Sequence, residues 1–417
     1  MAAIGSSTQR NIVILGGSYG GISIAHYVLK HVIPKLPTPE TYKVILVSKA
    51  SEALCRPACP RALVSDSLLP HEKIFANIPN QFLQYQSMNF QFIRGTVSDL
   101  DHTNRIVRIS LADSEPVETL NFHAVVIANG ASTHSPLLGL TGNEGKLKAD
   151  WASFREALTF AKSIVIAGGG PSGIEVAGEL GEYLNGRAGV FDSNLKAPNV
   201  PISVVTSSSK ILPRLRSGIA DKAERYLAEV GVSVIKGTSI KTVAPETAGT
   251  KDVTKKAVIT LDNGNVLEAD LYIPAFGTVP NTGFIDRSLL STDGRVKTEP
   301  GTLRVDKAGP RIYAIGDASS WARPAVHNIL DAVPVLGANL RRDLLLATAL
   351  RDIVIEGDKT FKEDTREMQL VPIGTSKGVG AVMGWQLPSW LVWLMKGRDY
   401  WLWTTNSLWN GRKWSTP

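Results

Sequence analysis

The chain has 417 residues, 43% of them hydrophobic and 20% charged, enough for two or three domains with more than one core. A net charge of +7 without a long basic block gives nucleic-acid binding no support. No apolar run approaches a bilayer span, the longest patch near the C-terminus being "WLVWLM".

The first residues, "MAAIGSSTQR", carry no apolar signal region, and Ala2 offers no N-myristoylation site, so a cytoplasmic location is expected. "NIVILGGSYGGISIAHYVLK" follows. Ile12–Leu15 reads as a buried parallel strand, and apolar Ile22, Ile24, Ala25 and Val28 mark a helix beyond a glycine turn. Strand, glycine turn, helix is the order a pyrophosphate needs: a tight turn, close backbone approach and unpaired N–H groups at a helix start. Gly16, Gly17, Ser18, Tyr19 and Gly20 are the candidates, with Ser18 standing where G-x-G-x-x-G has its second glycine.

The next strand, "KVILV", runs into Ser48-Lys49 rather than the carboxylate that would grip a ribose hydroxyl. "ALCRPACPRAL" then places Cys55 and Cys59 four positions apart. They admit two readings, a redox dithiol or two buried small hydrophobes, and Pro57 and Pro60 argue against a regular helix there. Two cysteines make no disulfide framework and fit a reducing compartment. "FQFIRGTVSDLDHTNRIVRISL" reads as a hairpin turning at Asp101–Asn104, and "FHAVVIANGAS" as a buried strand ending in small residues.

After a crossover near residues 135–150, "SIVIAGGGPSGIEVAGEL" repeats the signal with Gly168, Gly170 and Gly173, and Ala177 and Gly178 keep its helix slim against the sheet. Two such motifs in strand–turn–helix context are a specific signal. No acid follows "ISVV" either. Ser207, Ser208, Ser209 and Lys210, with Arg214 and Arg216, favour a 2′-phosphate and hence NADPH over NADH, unless this is a solvated loop. The chain returns near "PAFGTVPNTG", and "RIYAIGDASS" sets Asp317 at the C-terminal edge of a strand.

A helix over "NILDAVPVLGANLRRDLLLATAL" is expected to break at Pro334, and "MQLVPIGTSKGVGAVMGW" reads as two strands joined through "GTSKG". Seven of the nine tryptophans lie between Trp385 and Trp414. Taken as one helix from Pro388, the tail puts Trp390, Trp393, Leu394 and Trp401 on one arc and Trp403 opposite. Domain packing and a substrate wall, peripheral membrane contact, and an oligomer interface such as a homodimer are its three readings.

Paired glycine motifs, "VVIANGAS" and "IYAIGDAS" in this order resemble the two-dinucleotide-binding-domain flavoproteins. Within them the chain is most similar to the apoptosis-inducing-factor-like branch that includes ferroptosis-suppressor quinone reductases, through Arg61, "GGGPSGIEVAGEL" and "GVGAVMGW…KGRDYWLWTT". The resemblance implies an α/β fold of two Rossmann-like domains plus a smaller C-terminal α+β segment. The expected divisions are 1–140 and 276–345 for FAD, 141–275 for NAD(P)H, and 346–417 for the Trp-rich segment. It implies FAD on the first motif, Arg61 and Val97 flanking adenosine and flavin, Asp317 on the ribitol, and Glu175 near the nicotinamide–flavin junction. Asn129 stands where the family commonly has Thr. The implied activity is FAD-dependent NAD(P)H oxidation with a quinone or other aromatic electron acceptor and no metal. A biosynthetic flavoenzyme, a dithiol reductase using Cys55 and Cys59, and a redox-sensing signalling flavoprotein are the alternatives.

Overall fold

The structure is a computed structural model that describes residues 9–112, 117–189, 192–348 and 354–417. The first eight residues, on which the reading of the N-terminus rests, and the end of the helix expected through 350 lie outside it.

Two parallel sheets carry the two motifs. In the larger, strands Ile312–Ala314, Ala124–Ile127, Arg10–Leu15, Tyr42–Ser48 and Phe90–Asp101 lie side by side in parallel, and Ile106–Leu111 and Val117–Asn121 extend it as an antiparallel meander. The central strands are buried on both faces, which is why their sequences are unbroken aliphatic runs. The smaller sheet orders Val232–Lys236, Ile202–Thr206, Ile164–Ala167 and Leu271–Pro274, all parallel. The chain passes between them on two short strands, Ala131–Ser132 and Val279–Pro280, which pair antiparallel. The turn after Asp101 and the turn at residues 374–376 fall where expected.

Three local expectations are corrected. Helix Val326–Leu346 runs straight through Pro334, because Ile329, Ala332, Val333, Leu336, Leu340 and Leu344 bury one face and outweigh the lost hydrogen bond. The prolines beside the cysteines sit in the first turns of a 3-10 turn, Arg56–Ala58, and a short helix, Cys59–Ala62, where their missing N–H costs nothing. Gly178 makes room for something other than its own sheet: a Cβ there would lie 2.8 Å from the Cα of Ile373, in the C-terminal hairpin.

That hairpin, Gln369–Ile373 with Lys377–Val382, packs on the second-motif helix Pro171–Asn185. The tail then leaves it and is not one helix. Ser389–Val392 continues as a wider-wound turn to Gly397, and a new helix spans Leu402–Trp409. Between them Tyr400 and Trp401 both adopt left-handed backbone angles, φ 53° and 68°. Beyond, the tail is pinned to the first-motif helix region: Lys30 Nζ donates to the Gly411 carbonyl at 2.6 Å, and His26 and His31 ring nitrogens meet the Trp409 and Trp414 carbonyls at 2.8 and 2.9 Å. Trp409 and Trp414 are buried in the core that packs on the larger sheet and the first-motif helix.

Candidate active site

The two motifs build the same turn twice. Gly16 and Gly168 take φ of 118° and 124°, and a Cβ on either would strike a backbone carbonyl, Ala128 O at 2.3 Å or Ala275 O at 2.5 Å. Each motif closes on a glycine crossing over the first, Gly21 on Gly16 and Gly173 on Gly168. Gly21 is therefore the third glycine of the first motif, as the spacing from Ser18 requires, although it was left out of the candidate residues. At Gly170 an added Cβ meets nothing within 4 Å, so its twin Ser18 fits the same geometry. Helices Tyr19–Tyr27 and Pro171–Asn185 start directly after these turns and aim unpaired N–H groups outward.

A cleft of about 760 Å³ opens at the first turn, within the range of roughly 300–1,000 Å³ typical of ligand sites. Gly16, Gly17, Ser18, Tyr19, Gly20, Val97, Asn129, Asp317 and Glu175 all line it. Ser48 and Lys49 line it where the second strand ends, and burial lowers the ammonium pKa of Lys49, whose Nζ donates to the Thr141 carbonyl at 2.7 Å. Asn129 Oδ1 is buried without a hydrogen-bond partner among the described residues, an acceptor left for a ligand donor. Arg56 was missed: it lies on the same wall, 3.6 Å from Asp317. The turn, the helix start, the spare acceptor and the volume of the cleft fit a flavin dinucleotide.

Gly168, Gly170, Gly173, Ser207 and Lys210 do not line this cleft; they surround the second turn. There the strand ends in Thr206, 2.8 Å from a Cβ placed on Gly169, the counterpart of Ser48 beneath Gly17. Ser207 and Arg214 are exposed. Lys210 donates to the Leu215 carbonyl and Arg216 clamps Glu367, so two of the expected cations are committed within the chain.

Arg61 requires correction. It lies outside the cleft wall, 4% exposed, and is bound in a two-pronged ion pair to Glu179 at 2.8 and 3.0 Å. A guanidinium so enclosed has no donor facing a flavin or adenosine.

Glu175 is 3% exposed and accepts from Lys396 Nζ at 2.5 Å. Burial raises its pKa to about 7 against the pull of the ammonium. Lys396 also donates to the Leu370 carbonyl at 3.1 Å and stands 4.9 Å from the Trp401 ring centroid. Lys396 and Trp401 both line the cleft. From the sequence the tail was a wall only in general terms, and neither residue was assigned to the cleft. Their approach to Glu175 depends on the left-handed turn, which no periodicity announces.

Cys59 lines the cleft and Cys55 lies behind it; both are free and buried. Burial pushes Cys55 up to about 11 and Cys59 higher, so neither thiol ionises near neutral pH. The Tyr19 hydroxyl donates to Cys55 Sγ at 3.5 Å.

The profile of the pyridine nucleotide-disulphide oxidoreductases matches residues 10–334. Oxidoreductase phnG of Penicillium herquei is 58% identical over 416 residues, 100% of this chain and 99% of that protein. The external alternative NADH-ubiquinone oxidoreductase of Yarrowia lipolytica is 23% identical over 57% of this chain and 42% of its own. Among solved structures, NDH2 from Plasmodium falciparum in complex with RYL-552 superposes with a TM-score of 0.65 at 16% identity, over 98% of this chain and 99% of that one, a likeness of fold. The chain belongs to the pyridine nucleotide-disulphide oxidoreductase family and is an oxidoreductase of that kind.

Proposed function

We propose that the chain passes reducing equivalents from NADPH, through FAD, to a quinone-like aromatic acceptor lodged against the C-terminal segment. The observation that carries this reading is the meeting of Glu175 and Lys396 at 2.5 Å on a cleft wall shared with Trp401 and the first glycine turn. FAD, when bound, would supply the redox chemistry, hydride acceptance from nicotinamide and onward electron transfer. The chain does the rest. Gly16–Gly21 and the following helix start hold the pyrophosphate, Asn129 and Asp317 fix the ring and its chain, and the indole of Trp401 offers a planar acceptor a stacking face. Lys396 Nζ passes a proton to the reduced acceptor oxygen, and the protonated Glu175 carboxyl beside it replaces that proton. The Yarrowia relative is named for ubiquinone, which favours this acceptor class.

Thr206 and Ser207 supply no carboxylate against a 2′-phosphate, and exposed Arg214 is an available cation, which supports NADPH. Exposed Trp390, Leu394 and Trp403, with Arg398 between them, support contact with the lipid surface that would carry such a quinone.

An anaerobic NADPH titration of the yellow protein, followed by turnover with a short-chain ubiquinone, tests the reading. One equivalent should bleach the flavin without a long-wavelength thiolate band, and the quinone should restore it. Uptake of a second equivalent with such a band would replace this reading by a Cys55–Cys59 dithiol.

A further inference from the structure

Arg61 is the most heavily bonded side chain near the cleft, yet it lines none of it. Besides its two bonds to Glu179, Nη1 donates to the Gly397 and Arg398 carbonyls at 2.7 and 3.2 Å, and Nη2 to the Gly374 carbonyl at 3.3 Å. The Tyr400 ring lies under its guanidinium, 4.8 Å away, and the Tyr400 hydroxyl donates to Glu179 Oε1 at 2.9 Å. One cation thus ties four segments together: its own helix, the second-motif helix, the hairpin turn and the tail.

The tail segment it grips is the one that needs holding. Two consecutive non-glycine residues, Tyr400 and Trp401, sit in left-handed angles that persist only where surroundings over-determine them. That turn lets Lys396 and Trp401, five positions apart across a helix break, present side chains to the same cavity. A buried ion pair is in itself a weak contributor to stability, since well-packed apolar residues often serve as well. A fixed geometry at Gly397–Trp401 is what this one supplies.

We propose that Arg61 is a positioning residue for the acceptor side of the cleft, acting through Glu179 and Tyr400 to keep Lys396 and Trp401 on its wall. This rests on the reading of that wall as the acceptor site. The test compares Arg61→Gln, Arg61→Lys, Tyr400→Phe and Trp401→Ala in the FAD-loaded protein. FAD content, the rate of flavin reduction by NADPH, and steady-state turnover with a short-chain ubiquinone and with ferricyanide, which needs no stacking wall, are measured.

Arg61→Gln and Tyr400→Phe should keep FAD and NADPH reduction, leave ferricyanide turnover within about twofold, and raise the ubiquinone KM at least about tenfold, with partial recovery in Arg61→Lys. If Trp401→Ala raises that KM while Arg61→Gln and Tyr400→Phe do not, the positioning role is refuted and the acceptor wall stands. If Trp401→Ala changes nothing, the wall reading has failed and takes the proposal with it. Where Arg61→Gln does not fold, Tyr400→Phe, which removes one hydroxyl, decides. Loss of FAD and of both turnovers together in Tyr400→Phe would make the cluster a fold staple and overturn the proposal.

Discussion

Glu175 lies inside the protein, 3% exposed, with Lys396 Nζ donating to it at 2.5 Å. Burial holds its carboxyl near 7, above the ordinary value of 4.5, although Lys396 pulls the other way. A raised carboxyl stabilises the fold fully below pH 4.5, where both states are protonated, and that contribution is lost as pH rises through 7. The catalytic consequence is an inflection near pH 7 in ubiquinone turnover, measured from pH 5.5 to 8.5, that Glu175→Gln should flatten. A profile unchanged in Glu175→Gln would remove Glu175 from the proton path. The same variant strands the Lys396 ammonium in a 6% exposed site, so it should cost about 3 kcal/mol in denaturant unfolding. The cysteines give the opposite expectation. With both thiols held protonated by burial, a Cys55→Ser/Cys59→Ser double variant should still consume one NADPH equivalent and turn over ubiquinone within about threefold of the parent, the residual change reflecting packing.

At the scale of elements, the NADPH reading places coenzyme choice at the end of strand Ile202–Thr206, and one substitution tests it. Thr206→Asp would restore the carboxylate under the second turn, repel a 2′-phosphate and accept from a ribose hydroxyl. The ratio of kcat/KM for NADPH over NADH should fall at least about tenfold. An unchanged ratio would mean that coenzyme choice is made elsewhere.

What was legible at this scale follows from locality. Both glycine turns, the 102–105 hairpin turn and the strand pair around 374–376 are encoded by residues a few positions apart, and they stand where the sequence put them. Arg61 was misplaced because its partner Glu179 lies 118 positions away and the tail carbonyls more than 300 away. Pro334 was misread because propensity was weighed without the apolar face that the neighbouring core covers. The tail helix was drawn through Tyr400 and Trp401 because left-handed angles at aromatic residues leave no mark in a hydrophobic pattern.

The whole molecule joins two dinucleotide sheets by a C-terminal segment that touches both, the hairpin lying on the second-motif helix and the last residues on the first-motif helix. This arrangement divides the tryptophans. Trp409 and Trp414 fill the core, Trp401 faces the cleft, and Trp385, Trp390 and Trp403 remain 78%, 64% and 61% exposed. Core packing explains the first two and leaves the exposed three without an internal role. No helix among the described residues is long and apolar enough to cross a membrane. Trp390 and Leu394 lie one turn apart, and the Trp403 indole reaches the carbonyl of Met395, the neighbour of both Leu394 and the cleft-lining Lys396, at 3.5 Å. An indole entering a lipid interface contributes on the order of 2 kcal/mol, so removing two should weaken binding by more than about a hundredfold. In flotation with vesicles containing phosphatidylserine, the full chain should rise with the lipid, and Trp390→Ser/Trp403→Ser should stay at the bottom with its FAD and ferricyanide turnover intact. Arg398 adds an electrostatic part that salt should weaken. Equal flotation of both proteins would show that Trp390 and Trp403 do not meet lipid, and a full chain that never floats would assign the acceptor to the aqueous phase.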